Sequence, residues 1–277
     1  MDYSLREIDT TEDSLLEITE FLKESFPQNE KFTLDFVSWQ YAQNPLGKMR
    51  GYNAYDNGRI ISHFAALPID MNLFGKRRKG LLCINVSTND RYRGKKLFTT
   101  VGEATIRYAT ENGFDFMMAV PNANSSHAFL KYFGFYLISP LSVKVGFGKN
   151  IYTDKAYKCN KYWDEEQLRW RLSNPANKYR YNEDGIISTP VSYFVKTISK
   201  KPLSGNYKDV ASLNIGLRPV NLYVGLGADT SKGLYFNIPS FIKRPPFNLV
   251  FRDLTGGEIP TIKKEDIFLQ LIDLDTI

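Results

Sequence analysis

The chain has 277 residues, enough for one large domain or two smaller ones, and 43% hydrophobic with 14% aromatic residues excludes wholesale disorder. The net charge of +6 is carried by short clusters at 76–79, 91–96, 200–201 and 243–244. These suit solubility or the attraction of small polyanions, and they lack the continuous stripe of a nucleic-acid binder.

Two distant cysteines, Cys83 and Cys159, form neither a disulfide framework nor a metal-ligand spacing. No apolar run approaches the ~20 residues that span a bilayer, and the opening MDYSLREIDTTED is unlike a signal peptide. A cytoplasmic protein without metal or membrane insertion is expected.

In chain order, residues 10–26 read as a helix: Thr10 or Thr11 caps it, and Leu15, Ile18, Leu22 and Phe26 recur on one face. A second helix covers 34–40 and stops before Asn44-Pro45. Strands are expected at 52–56 and 59–68 around the hairpin turn Asn57-Gly58, then at 69–74 and 81–88, with 76–79 as a hairpin tip. A helix over 97–112 places Leu97, Val101, Ala104 and Tyr108 at helical spacing, and Gly113 ends it. Residues 114–120 form a continuous apolar strand, buried on both faces. Asn124 or Ser125 caps a short helix that ends before Gly134.

The stretch 81–135 carries the chemistry. Between strand and helix lies the basic turn Asn89-Asp90-Arg91-Tyr92-Arg93-Gly94-Lys95-Lys96. A positive turn that opens directly into a helix offers free N–H groups and the positive end of the helix dipole, which together make a phosphate site.

Beyond about 150 the pattern is less regular, but it echoes the first half. Trp39 before Asn44-Pro45 and the Asn57-Gly58 turn are matched by Trp170 before Asn174-Pro175 and Asp184-Gly185. Either the second half is a genuine duplicate, or both are simply a helix, a Pro stop and a hairpin. The second copy has no counterpart of the basic turn.

The run Arg93-Gly94-Lys95-Lys96-Leu97-Phe98 resembles the diphosphate motif Q/R-x-x-G-x-G/A of the GNAT superfamily of acyl-CoA-dependent acyltransferases. Lys96 and Phe98 stand where that motif has small residues. The segment Pro121-Asn122-Ala123-Asn124-Ser125-Ser126 and the helix ending in Phe133-Gly134-Phe135 resemble the family's second half-site, where the pantetheine arm lies in a gap between splayed strands.

The resemblance covers about 1–148. It implies an α+β (mixed α/β) fold, a GNAT-like mixed, twisted sheet flanked by helices in 1–148. The divergent half 149–277, a degenerate GNAT-like copy if the echo is a duplication, is expected to help build the acceptor pocket. It implies acyl-CoA as co-substrate, held by Val86, Ser87, Thr88, Arg91, Arg93, Gly94, Lys95, Lys96, Leu97, Phe98, Asn122, Asn124 and Ser125.

Acyl transfer to an amine needs an oriented thioester, donors for the oxyanion, and a neutral amine. The tyrosine that serves many family members as acid is replaced by Leu130, and Tyr132, two residues on, is expected to point off that face. His63 is the candidate base, against the bland reading of a satisfied structural histidine. Asn85 is the candidate polar group beside the thioester, against that of a buried amide satisfying its neighbours. Cys83 should share a strand face with Asn85 and reads as packing. His127 is expected to face solvent or substrate.

The function that the resemblance implies is N-acyl transfer from acyl-CoA to a primary amine; the chain resembles the branch that acylates nucleotide-linked (dTDP- or UDP-) amino sugars for surface polysaccharides, which makes such an amine the expected acceptor. The alternatives are a tRNA- or cell-wall-related aminoacyl transferase of paired GNAT-like halves, and a non-catalytic degenerate binding module.

Overall fold

The computed structural model describes residues 2–148, 155–182, 184–201, 205, 207–231, 233–238 and 247–274. The first half runs β1 (Ser4–Glu7), α1 (Glu12–Ser25), α2 (Leu34–Ala42), β2 (Arg50–Asp56), β3 (Arg59–Leu73), β4 (Lys76–Thr88), α3 (Leu97–Glu111), β5 (Phe116–Ala119), α4 (Ala123–Tyr132), β6 (Tyr136–Pro140) and β7 (Ser142–Phe147). The second half adds β8 (Cys159–Lys161), α5 (Glu165–Leu172), the short strands β9 (Arg180–Tyr181), β10 (Ile186–Ser188), β11 (Val195–Thr197) and β12 (Ser199–Lys200), then β13 (Val220–Leu226), β14 (Leu234–Asn237), β15 (Asn248–Asp253) and β16 (Ile267–Gln270).

Among the described residues, one mixed sheet runs in the order β14-β7-β13-β16-β8-β3-β4-β5-β15-β6, with β2 and β1 branching from β3 and β11 pairing with β13. α1 and α2 cover one face, over Ala65, Leu67, Leu82 and Ile84. α3 and α4 cover the other, over Phe64, Ala66, Leu81 and Cys83. α3 approaches α4 closely at Gly102, where a Cβ would stand 2.3 Å from the Phe133 ring, so only glycine fits.

Two expectations change. Residues 59–73 form one strand, and its hairpin tip is Phe74-Gly75, both at positive φ (49° and 83°), rather than 76–79. The basic residues after the tip belong to β4, and its two arginines are paired within the fold. Arg77 donates two hydrogen bonds to Asp70 (2.7 and 2.5 Å), and Arg78 reaches Asp115 and Glu258. Their charge is partnered locally and is not held open for a ligand.

The boundary at 148/149 is not a boundary in the sheet. β15 lies between β5 and β6, antiparallel to both, so a strand of the second half completes the sheet of the first. Phe251 on β15 stacks on Phe116 of β5 at 5.2 Å, and Arg252 donates to the Phe133 carbonyl at the end of α4.

The echo has a physical counterpart. Trp39 on α2 and Trp170 on α5 stack at 4.6 Å and 12°. Each indole donates to the other's main-chain carbonyl, at 2.9 and 3.2 Å. The two Asn-Pro turns are built alike, with Asn44 accepting from the N–H of Leu46 and Asn174 from that of Ala176.

Among the described residues, no helix is long and apolar enough to cross a membrane, and no group of three or more His, Cys, Asp or Glu could hold a metal.

Candidate active site

β4 and β5 run parallel and pair only from Gly80–Phe116 to Cys83–Ala119. Beyond that point the 84–88 edge of β4 has no strand partner on this side among the described residues, so its polar groups are available to an extended ligand. The register between β3 and β4 shifts between His63 and Ala65, and Asn85 there takes φ 52°. That bulge inserts one residue into β4 and flips the alternation. Cys83 therefore packs under α3 and α4, whereas Asn85 turns to the opposite face and bonds α2. The expected shared face is lost for that reason.

The turn after β4 opens with a 3₁₀ segment, Asp90–Tyr92, capped by Asn89, whose side chain accepts from the N–H of Arg91. Gly94 (φ 76°) and Lys96 (φ 60°) are both left-handed. α3 starts at Leu97 with no side-chain cap and no acidic residue in its first turn. Its first N–H groups and its positive dipole end are therefore uncompensated and face whatever lies before the helix.

A cleft of about 870 Å³ joins these parts. Its lining includes Val86, Ser87, Thr88, Arg93, Gly94, Lys96, Leu97, Phe98, Asn122 and Ser125, all expected at the cofactor site. Two expected side chains do not line it, and a third is not among the described ones. Arg91 lines a neighbouring pocket with Glu17, Glu20, Glu24 and Asp56. The Lys95 ammonium sits over the Tyr92 ring at 4.8 Å. The side chain of Asn124 lies outside the described ones. Asn122, rather than Asn124 or Ser125, caps α4, its Oδ1 accepting from the N–H of Ser125 at 3.1 Å.

Sequence reasoning missed Ser25 and Phe26 at the end of α1, Thr99, Thr100 and Glu103 on α3, and Ala128 and Tyr132 on α4. Tyr132 was expected to point away. Ser125, Ala128 and Tyr132 stand at i, i+3 and i+7, one helix stripe, so all three face the cleft. Taking Ser125 as already in the site and stepping along that stripe would have found Tyr132. Leu130 is absent from the lining and 39% exposed. His127 is exposed and lies edge-on to Tyr132.

Neither candidate catalytic residue lines the cleft. His63 is 0% exposed. Its Nδ1–H donates to Asn53 Oδ1 at 2.6 Å, because an amide oxygen can only accept, and its Nε2 accepts from the Tyr41 hydroxyl at 2.8 Å. Burial alone pushes its pKa down to about 3, so the ring is neutral and enclosed. It cannot touch an amine in the cleft.

Asn85 donates to Gln40 Oε1 (2.6 Å) and to the Tyr41 hydroxyl (3.1 Å). The chain of bonds runs on from Asn53 to Tyr55 (3.3 Å) and from Tyr55 to Glu17 (3.3 Å) on α1. Cys83 is fully buried, and burial pushes its thiol pKa far up, so it is no nucleophile. Among the described cleft residues the carboxylate is Glu103, on α3, and none is histidine.

Residues 7–138 match the sequence profile of the acetyltransferase (GNAT) domain family. No curated protein matches the chain. Three solved structures share the fold across both halves. A probable N-acyltransferase from Enterococcus faecalis has a TM-score of 0.62 at 11% identity, over 92% of this chain and 73% of that one. A GCN5-related N-acetyltransferase from Anabaena variabilis has 0.60 at 12%, over 91% and 74%. A GCN5-related N-acetyltransferase from Kribbella flavida has 0.60 at 12%, over 92% and 72%.

Proposed function

We propose, on the premise that residues 7–138 are an acetyltransferase domain of the GNAT family, that the chain moves an acyl group from acyl-CoA to a primary amine. Its class as an N-acyltransferase comes from that domain. The choice of acyl-CoA and of acceptor is our reading. The observation that carries it is the single cleft that links the unpaired edge of β4 to the uncapped start of α3.

The pieces fit the parts of the co-substrate. The first N–H groups of α3, with Lys96 and Arg93, suit a diphosphate, although Arg93 is also paired with Asp90 at 2.6 Å. The free edge at Val86–Thr88 suits the pantetheine amides, which would pair with it as an added strand. The thioester would then lie toward the bulge at Asn85. The chain orients the carbonyl and excludes water. The amine nitrogen attacks the carbonyl carbon, its proton leaves, and the C–S bond breaks to release CoA thiol. Thiolate is a good leaving group, so a strong acid is dispensable.

The acceptor we favour is a nucleotide-linked (dTDP- or UDP-) amino sugar. Two observations support it: a net charge of +6, and a cleft whose described lining has no histidine and only the outlying carboxylate Glu103. A sugar amine is less basic than lysine, so a fraction is neutral near pH 7 without a strong base. The acceptor pocket would draw on the second half, which closes the α2 side through Trp170.

The test is calorimetry with CoA, then thiol release from acetyl-CoA with a panel of dTDP- and UDP-amino sugars, lysine peptides and polyamines. CoA binding that weakens in Arg93→Ala/Lys96→Ala, with turnover on the amino sugars, is the expected result. Turnover confined to lysine peptides or polyamines removes the sugar reading. Binding without turnover on any amine favours the non-catalytic module.

A further inference from the structure

The bend at Asn85 is held from behind by a hydrogen-bonded line that no part of the cleft touches. Asn85 uses both amide hydrogens on α2, toward Gln40 and Tyr41. Tyr41 is fully buried, and its hydroxyl must donate to His63 Nε2, because the His63 proton is on Nδ1 and committed to Asn53. Each bond thus has one allowed direction, from Asn85 through Tyr41 to His63. The Tyr41 and His63 rings are also near-parallel, with centroids 5.9 Å apart.

A line of polar groups buried under α1 and α2 is favourable only when every member is satisfied, so it fixes one arrangement. What it fixes is the left-handed turn of β4, and the next residues on that strand, Val86 to Thr88, are the free edge that lines the cleft. We propose that Tyr41 and His63 are positioning residues. Without touching substrate, they lock the Asn85 bend and so set the aim of the β4 edge at the acyl carbonyl. This inference rests on the acyl-CoA reading. His63 therefore acts as a neutral brace, which the fully enclosed ring and its two committed nitrogens require.

The experiment uses the full chain with [1-¹³C]acetyl-CoA as probe. Three quantities are read for wild type, Tyr41→Phe, His63→Leu and His63→Gln: CoA affinity by calorimetry, the infrared stretch of the bound carbonyl, and hydrogen exchange of the amides at 84–88. In wild type the bound carbonyl should shift to lower frequency through hydrogen bonds from the β4 edge. Tyr41→Phe and His63→Leu should keep CoA affinity within about twofold, lose most of that shift, and speed exchange at 84–88. Their turnover should fall about 10- to 100-fold at saturating acetyl-CoA, the scale of a misaimed reactive group.

His63→Gln, whose amide oxygen can still accept from Tyr41, should recover part of the shift. An unchanged carbonyl shift in a folded Tyr41→Phe overturns the proposal, as does unchanged exchange at 84–88. If Tyr41→Phe does not fold, the contrast between His63→Leu and His63→Gln decides, and equal behaviour of those two overturns it. If wild type gives no heat with CoA, the acyl-CoA reading fails by itself. Exchange at 84–88 then tells whether Tyr41 and His63 brace the strand.

Discussion

Lys96 takes φ 60° and ψ 9° at the head of α3, a conformation that a residue with a side chain adopts at a penalty of about 1–2 kcal/mol. The family motif has glycine at this position, for which that geometry is free, so the left-handed turn is retained while the side chain is not. Lys96→Gly removes the strain but adds backbone freedom to the unfolded chain, about 0.5–1 kcal/mol, so stability should be unchanged or rise by up to about 1.5 kcal/mol. The ammonium is an exposed charge at the phosphate end of the cleft, where such pairs are worth about 0.5–1 kcal/mol. CoA affinity should therefore fall about 2- to 5-fold at low salt, and the difference should vanish near 1 M salt. Urea unfolding and calorimetry at two salt concentrations check both halves of this prediction.

His63 offers a second residue-level test through pH. Its folded-state pKa is depressed to about 3 from the ordinary 6.5. Between those values the unfolded chain holds a proton that the folded chain excludes. Stability should therefore fall as pH drops from 6.5 toward 3, by up to ~1.4 kcal/mol per pH unit, and this group should add no slope above 6.5. His63→Gln should flatten the stability profile between pH 6 and pH 4 relative to wild type, measured as urea midpoints. Identical slopes in the two proteins would exclude His63 as the source.

Elements whose order is local were legible. The periodicity of Leu15, Ile18 and Leu22 gave α1, Asn57-Gly58 gave the β2–β3 turn, and the basic turn before Leu97 gave the start of α3. The alternation argument failed at Asn85 because a bulge is set by the partner strand, and β3 supplies one residue fewer there. α4 was placed but misread in phase, since its cap is Asn122 and the cleft stripe passes through Tyr132. The echo between Trp39 and Trp170 was visible, but their reciprocal bonds depend on α2 meeting α5, which no local pattern encodes. That contact yields an element-level prediction. Trp39→Ala, at a buried position, should destabilise by about 3–5 kcal/mol, and Trp170→Ala, half-buried, by about 2–4 kcal/mol. Because they share one stack and two hydrogen bonds, the double variant should lose less than the sum by about 1–2 kcal/mol in urea titrations. Strict additivity would mean that the stack contributes nothing.

At the scale of the molecule, the chain order hides how the sheet is closed. β5 is buried along its whole length, paired with β4 on one side and β15 on the other. A 1–148 fragment keeps β4 and β6 but lacks the strand between β5 and β6. β5 would become an open apolar edge, β6 would have no partner, and the Phe116–Phe251 stack would be gone. Removing the second half also uncovers Trp39 and the apolar α2 side. We therefore expect the 1–148 fragment to bind a hydrophobic dye, to melt without a cooperative transition, and to bind no CoA, although every residue lining the cleft is present in it. The full chain should melt cooperatively and bind one equivalent of CoA, because the second half has no counterpart of the basic turn. A fragment that stays monomeric, melts sharply and binds CoA would show that β15 is dispensable and that the two halves are separable. Two equivalents bound per full chain would show a second phosphate site in the second half. Loss of binding together with loss of the cooperative melt would show that the second half, which supplies β15 and covers α2, completes the fold on which the cleft depends.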